Sequence, residues 1–187
     1  MILIRHGQSE FNVIYGKTRV DPGIEDPALT DEGRRQAAHV ADWLAREGVE
    51  RLIASPYRRT LETVEIIASR LALDVTIEPM VRERCAFVCD VGTPRSVMAA
   101  RFPAFDWRRV GAEQWWPAEN EPEADLHRRC AAFRAAVAEW PAFERTVVIT
   151  HWGFIRGLTS HAIGNGEAVR LHRNAPAVLL SAVPAAG

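Results

Sequence analysis

The chain has 187 residues, 48% hydrophobic and 25% charged, with a formal net charge of −1 and three cysteines. That size and composition fit a soluble globular protein of one domain, or one domain with an inserted cap, with enough chain to bury a substantial core. They give no case for nucleic acid or a membrane surface as partner, and three cysteines at no framework spacing argue for a reducing compartment rather than a disulfide scaffold.

Met1-Ile2-Leu3-Ile4 is an apolar run that reads as a buried strand, and it delivers Arg5-His6-Gly7 at its end. No apolar run approaches about 18 residues and no charged-then-apolar leader precedes this strand, so a cytoplasmic protein is expected. From Tyr15 to Pro27 the chain is polar and rich in turn residues. Thr30 is a good N-cap for a helix that Asp31 and Glu32 favour electrostatically and Gly48 stops, with Ala37, Val40, Ala41 and Leu44 as its apolar stripe. A short strand, Arg51 to Ala54, ends at Ser55-Pro56 and is followed by a helix from about Tyr57 to Leu71. Val75-Thr76-Ile77 reads as the next strand.

Residues 84–123 break this rhythm, with Pro, Gly and Trp in quantity and one helix opening at Thr93-Pro94. This segment is expected to be a cap inserted over the pocket of a single domain spanning residues 1–187. Leu126, Cys130, Phe133, Val137 and Trp140 recur at alternating spacings of four and three, which predicts a one-faced helix within Glu121 to Trp140. Thr146 to Thr150 then runs as a strand into His151-Trp152-Gly153. A helix from about Phe154 to Ile163 ends at Gly164-Asn165-Gly166, and Ala177 to Val183 reads as a last strand. Alternating strands and helices predict an α/β fold, a three-layer α/β/α sandwich with a mostly parallel central sheet.

Two histidines, each closing a buried strand and each near a glycine, suggest one pocket built from both halves of the chain, since open α/β sheets expose functional groups at strand ends. The residues around them resemble the histidine phosphatase superfamily, also called phosphoglycerate mutase-like. The likeness covers most of the chain. It is carried in order by Arg5-His6-Gly7-Gln8-Ser9-Glu10-Phe11-Asn12, by the stretch from Asp26 to Ala37, by Ser55-Pro56-Tyr57-Arg58-Arg59-Thr60, by Arg82-Glu83-Arg84, and by Val148-Ile149-Thr150-His151-Trp152-Gly153.

The resemblance implies phosphoryl transfer through His6 as nucleophile, its neutral nitrogen attacking phosphorus to form a phosphohistidine. Arg5, Arg59 and His151 would bind the phosphoryl oxygens, because a guanidinium presents paired donors and keeps its charge. Arg58 is the rival to Arg59, and adjacent helical residues point about 100° apart, so only one can face the pocket. Asn12 would add a neutral hydrogen bond, with Ser9 the other candidate; either could instead cap a loop. His151 is expected to hold a proton when phosphate is bound. Glu83 would protonate the leaving alkoxide and then activate water, which calls for a raised pKa; Glu78 and Glu10 are its rivals.

No metal or other cofactor is implied, and the cysteines and histidines show no zinc-type spacing. His39, His127, His161 and His172 read as surface or helix-packing residues.

Three departures stand out. Gln8 replaces a frequent Glu; Trp152 stands where Gly is frequent and could narrow the pocket, stack on a substrate or simply pack; Trp115-Trp116 could form an aromatic wall, pack in the core or a lid, or make a dimer contact. Trp107-Arg108-Arg109 resembles a basic stretch that helps hold the substrate carboxylate in cofactor-dependent phosphoglycerate mutases. The expectation is a metal-independent phosphomonoester hydrolase of the histidine acid phosphatase type, acting on a small phosphorylated metabolite. The alternatives are a mutase-type phosphotransferase and a non-catalytic phosphate-binding module. The short apolar tail from Val183 to Gly187 would make a poor lid, which favours hydrolysis. The oligomeric state stays open, a homodimer being one option.

Overall fold

The computed structural model describes residues 1–180. Six strands, β1 (Ile2–Arg5), β2 (Arg51–Ala54), β3 (Val75–Ile77), β4 (Thr146–Thr150), β5 (Ala168–Arg170) and β6 (Val178–Leu180), form one sheet in the order β3-β2-β4-β1-β5-β6. The β3-β2-β4-β1 part is parallel, and β5 and β6 add antiparallel at the β1 side. The helices are α1 (Glu10–Thr18), α2 (Asp31–Leu44), α3 (Arg58–Leu71), α4 (Arg95–Arg101), α5 (Glu123–Val137) and α6 (Trp152–Thr159).

The strands are apolar on both faces, and their period-two alternation sorts residues into two cores. Ile2, Ile4, Leu52, Ala54, Val147 and Ile149 pack with Val40, Leu44, Leu61 and Val64 of α2 and α3. Met1, Leu3, Ile53 and Val148 pack on the other side with Leu126, Phe133, Val137, Phe154 and Ile155 of α5 and α6. The result is the expected helix–sheet–helix sandwich.

Several boundaries differ from the sequence reading. The turn-rich stretch begins later than Tyr15, because Ser9 and Asn12 form a reciprocal capping box that starts α1, and the helix continues through Gly16 to Thr18. It stops at Arg19, which is left-handed with φ 56°. Helix α6 starts at Trp152 and ends before Ser160, itself left-handed, rather than running from Phe154 to Ile163. Strand β5 escapes the sequence reading because it is three residues long, with Arg170 at its end and Glu167 just before it. The expected last strand is seen over Val178–Leu180; its remaining residues and the tail from Val183 to Gly187 lie outside the described residues.

The segment from 84 to 122 divides in two. Arg84, Ala86, Phe87, Cys89 and Asp90 border the main cavity. Met98, Phe102, Trp107, Val110 and Trp115 instead extend the core on the α2–α3 face. Trp115 is buried edge-on against Tyr57 at 4.5 Å and donates its indole N–H to the Thr93 carbonyl, with Trp116 packed on it. The pair is therefore internal packing, which places Trp115 out of reach of a dimer contact.

The loop after β1 lies directly on the first turn of α2. A Cβ built on Gly7 would stand 2.3 Å from the Gly33 carbonyl oxygen, and one on Gly33 would stand 2.1 Å from the Gln8 carbonyl oxygen. Neither obstacle is a side chain that can swing away. Gly33→Ala should destabilise the fold by about 1–3 kcal/mol, read as a melting temperature lowered by roughly 2–4 °C per kcal/mol.

Candidate functional site

Because β1, β2 and β4 run parallel, their carboxyl ends share one edge of the sheet. Arg5 pairs with Thr150 and Ala54 with Ile149, so the next residues, His6, Ser55 and His151, are neighbours. The His6 and His151 rings meet edge-on with centroids 5.2 Å apart. Beside them opens a cavity of about 540 Å³, lined by Arg5, His6, Ser9, Asn12, Arg59, Glu83 and Asp90 among others.

His6 is buried, and its backbone amide donates to the Thr150 carbonyl. Its Nδ1 lies 2.7 Å from the Gly7 carbonyl oxygen, an acceptor only, so Nδ1 carries the hydrogen and Nε2 keeps its lone pair. Burial, reinforced by the Arg59 and Arg5 guanidinium groups, holds the His6 imidazole well below its ordinary value. The ring is therefore neutral at pH 7.

His151 is fully buried and touches His6 without itself lining the cavity. Its Nε2 lies 2.8 Å from Ser55 Oγ. Its Nδ1, like Arg5 Nε, is a buried nitrogen with no hydrogen-bond partner among the described residues. Burial first, then Arg59 and His6, pushes its pKa well down, so it too is neutral here.

Of the two adjacent arginines, Arg59 is the one in the cavity. Its guanidinium donates to the Cys89 carbonyl at 2.8 Å and pairs with Asp90 at 3.1 Å, 4.4 Å from the Tyr57 ring centroid. Arg58 turns the other way to pair with the buried Glu62 at 2.8 Å. Arg5 donates to the Ile163 carbonyl.

Asn12 does both things the sequence allowed. Its Oδ1 accepts from the Ser9 amide, the Ser9 hydroxyl and Asn165 Nδ2, which leaves its NH₂ as the end able to donate into the cavity. Ser9 is committed to the cap.

Glu83 is placed by close backbone approach. One carboxylate oxygen accepts from the Arg84 amide and the other from the Gly153 amide in the first turn of α6, at 2.8 and 3.1 Å. Burial, then the neighbouring Asp90 carboxylate, raises its pKa, against the pull of those amides. The segment carrying it is anchored from α5, where Arg129 donates to the Met80 and Arg82 carbonyls and pairs with the buried Glu121, which also holds Arg82. The rivals lie elsewhere: Glu78 caps Met80 and pairs with Arg109, and Glu10 accepts from the Ala28 amide. Neither borders the cavity.

Asp90, Asn165 and Ser55 are site neighbours that sequence reasoning did not assign a role. Asp90 sits in an irregular loop; Asn165 reads as a helix stop, yet its Nδ2 donates to the His6 carbonyl and to Asn12. The basic pair Arg108 and Arg109 is far from a carboxylate-holding role: Arg108 pairs with Asp106, Arg109 with Glu78, and both line a separate hollow with Trp140. The three cysteines are free and buried, and burial pushes the Cys130 thiol up to about 11. Among the described residues no group of three or more His, Cys, Asp or Glu is arranged to hold a metal ion. No helix there is long and apolar enough to cross a membrane.

The sequence pattern of the histidine phosphatase superfamily (branch 1) matches residues 1–180. The chain is 30% identical over 167 residues to "Probable phosphoglycerate mutase GpmB" of Yersinia enterocolitica, covering 88% of this chain and 74% of that protein. It is 29% identical over 169 residues to phosphoglycerate mutase-like protein 4 of Arabidopsis thaliana, covering 87% and 70%. Among solved structures, a mycobacterial glucosyl-3-phosphoglycerate phosphatase in complex with VO3 is similar with a TM-score of 0.66 at 21% identity, over 96% of each chain. The alpha-ribazole phosphatase from Shigella flexneri gives 0.64 at 19% identity, over 96% of this chain and 93% of that one. At such identities the structures share the fold.

Two expected outcomes follow from this geometry. A Cβ on Gly153 would stand 2.3 Å from Glu83 Oε1, so Gly153→Ala should displace the carboxylate and lower kcat by about 10²-fold, with the circular dichroism of the folded protein retained. The second concerns pH. Unfolded histidines take up protons below about pH 6.5, whereas His6 and His151 in the fold do not. The unfolded state then binds more protons, and this contribution to stability is complete above that pH and is lost as pH falls. Raised Glu83 works in the opposite sense, favouring the fold as pH falls. The free energy of urea unfolding should therefore drop more steeply between about pH 7.5 and 5.5 in the wild type than in His6→Gln, by up to about 1.4 kcal/mol per pH unit. Parallel slopes would contradict a neutral buried His6.

Proposed function

Because the chain belongs to the histidine phosphatase superfamily and is a phosphatase- or mutase-type enzyme, we propose that it is a phosphomonoester hydrolase that works through a phosphohistidine on a small phosphorylated substrate. The observation that carries the reading is one cavity in which an unprotonated His6 Nε2 faces the same space as Arg5, Arg59 and a carboxyl of raised pKa.

In this reading Nε2 of His6 attacks phosphorus, the bond from phosphorus to the ester oxygen breaks, and Glu83 gives that oxygen its proton. Glu83, now a carboxylate, takes a proton from water, whose oxygen displaces His6 and releases inorganic phosphate. Little covalent help is needed beyond the nucleophile, because phosphoryl transfer is governed by positioning and by balancing charge on the three equatorial oxygens. Arg5, Arg59 and the Asn12 amide supply that balance, a role that otherwise falls to metal ions. The partnerless Arg5 Nε is a buried nitrogen in the cavity wall that a phosphoryl oxygen would satisfy, while His151, which touches His6 but does not line the cavity, acts on the anion through its charge. A bound dianion would draw His151 toward its protonated form. Asp90 holds Arg59 in place and tempers the positive field, which limits how tightly product phosphate is held.

Hydrolysis is favoured over mutase chemistry by one feature. Arg108 and Arg109, the residues resembling a carboxylate-holding stretch of mutases, are occupied by acids outside the cavity. Segment 84–90 is read as the cap over the site. The expected outcome is hydrolysis of 4-nitrophenyl phosphate that a chelator leaves unchanged and that falls by about 10³-fold or more in His6→Ala. Glu83→Gln should accumulate an acid-labile phosphoenzyme. An acid-stable label would sink the phosphohistidine, and isomerisation of 3-phosphoglycerate outpacing its hydrolysis would replace the hydrolase with a mutase.

A further inference from the structure

Resting on the hydrolase reading, we propose that the outer part of the cavity is a subsite for an apolar, planar leaving group, and that Phe87 and Trp152 set this preference. Four aromatic side chains line the cavity that holds His6: Phe11, Tyr15, Phe87 and Trp152. Phe11 and Tyr15 are four residues apart on α1 and so share a face; their rings stack at 5.0 Å with an interplanar angle of 13°. Phe87 meets both, 5.5 Å from Phe11 and 5.2 Å from Tyr15.

The wall is braced. Asp90 accepts from the Ala86 and Phe87 amides at 3.0 and 3.1 Å, and Asp21 accepts from the Val88 amide at 2.9 Å. Yet Phe87 remains 40% exposed and Trp152 38%, Trp152 being shared with an adjoining hollow where Arg156 lies 5.2 Å from its ring centroid. Apolar surface left uncovered inside a concave site marks the place of a ligand.

Position relative to the acid says which part of a ligand this is. The leaving oxygen must lie in line with His6 and within reach of Glu83. Phe87 follows Glu83 by four residues in the same loop. Trp152 precedes Gly153, whose amide holds the Glu83 carboxylate. Both rings line the cavity that Glu83 borders, and the leaving group departs into that cavity.

The two cations at the rim, Arg19 and Arg84, each touch an uncharged group. Arg19 lies 5.8 Å from the Tyr15 ring centroid, and Arg84 donates through Nε to the Glu121 carbonyl. Both guanidinium groups keep their charge, so a second anionic group is the competing occupant, represented by 3-phosphoglycerate in the comparison below, whereas a flat apolar group can stack on or meet the edges of the rings.

The test compares 2-naphthylmethyl phosphate with glycerol 1-phosphate and 3-phosphoglycerate. All three release a primary alcohol, so intrinsic reactivity differs little. The wild type should prefer the naphthylmethyl ester by about tenfold or more in kcat/KM. Phe87→Ala and Trp152→Ala should each erode that ratio by about fivefold. Val97→Ala, an exposed position on α4 that does not line the cavity, should leave the ratio unchanged.

Equal use of the three esters, a preference for 3-phosphoglycerate, or losses in Phe87→Ala and Trp152→Ala that are the same for every ester would overturn the subsite. Absence of any turnover by the wild type would count against the hydrolase reading instead. The subsite would then be decided by calorimetric binding of 2-naphthylmethylphosphonate against methylphosphonate, tighter binding of the former supporting it and equal binding refuting it.

Discussion

The register between β1 and β4 is the constraint on which the site depends. With Arg5 opposite Thr150, the residues that follow emerge side by side, and two imidazoles 145 positions apart come into ring contact. The sheet can hold that register because both strands are apolar on both faces and sit between helical layers. A slip by one residue would carry their side chains to the opposite faces and undo both cores. Chemistry at the sheet edge is thus secured by the packing far from it.

Close backbone approach is the second device, and glycine is its means at two places. Gly7 and Gly33 let the loop after β1 rest on the first turn of α2. Gly153 lets α6 present an amide to Glu83, so that a single carboxylate is fixed by the chain on one side and by a helix start on the other. Burial then acts on the titratable groups in opposite directions. It disfavours the charged form of each, which keeps His6 unprotonated and Glu83 biased toward its acid form. The proposed nucleophile and the proposed acid can coexist at one pH for that reason.

Charge in the cavity is arranged rather than accumulated. Arg59 is fully enclosed and paired with Asp90, whose other oxygen organises the loop at Phe87. A phosphoryl group entering beside this pair would meet a guanidinium already oriented. The same carboxylate therefore links the anion-binding end of the cavity to its aromatic wall. On the proposed reading this connection gives the loop 84–90 a part in both chemistry and selectivity, whereas Met98, Phe102, Trp107, Val110 and Trp115 beyond it serve the core.

Local features were legible in the order of residues alone. Apolar runs predicted β2 and β4 at their observed limits, Thr30 marked the start of α2, and the histidine, arginine and glutamate motifs were all placed at strand and helix ends. Each of those signals is a matter of neighbours along the chain. Helix α1 was hidden because its capping box is short and Gly16 lies within it, and β5 because three residues carry too little pattern. Motif register pointed to Arg59 over Arg58, and Arg59 is the one that faces the cavity. Tertiary structure alone decided that Arg108 and Arg109 are spent on Asp106 and Glu78, and that Trp115 is core. It also decided that Asp90 and Asn165 join the site. Those outcomes turn on which groups meet across distant segments, and the energy of a buried charge depends on the partner it finds there, which no stretch of sequence contains.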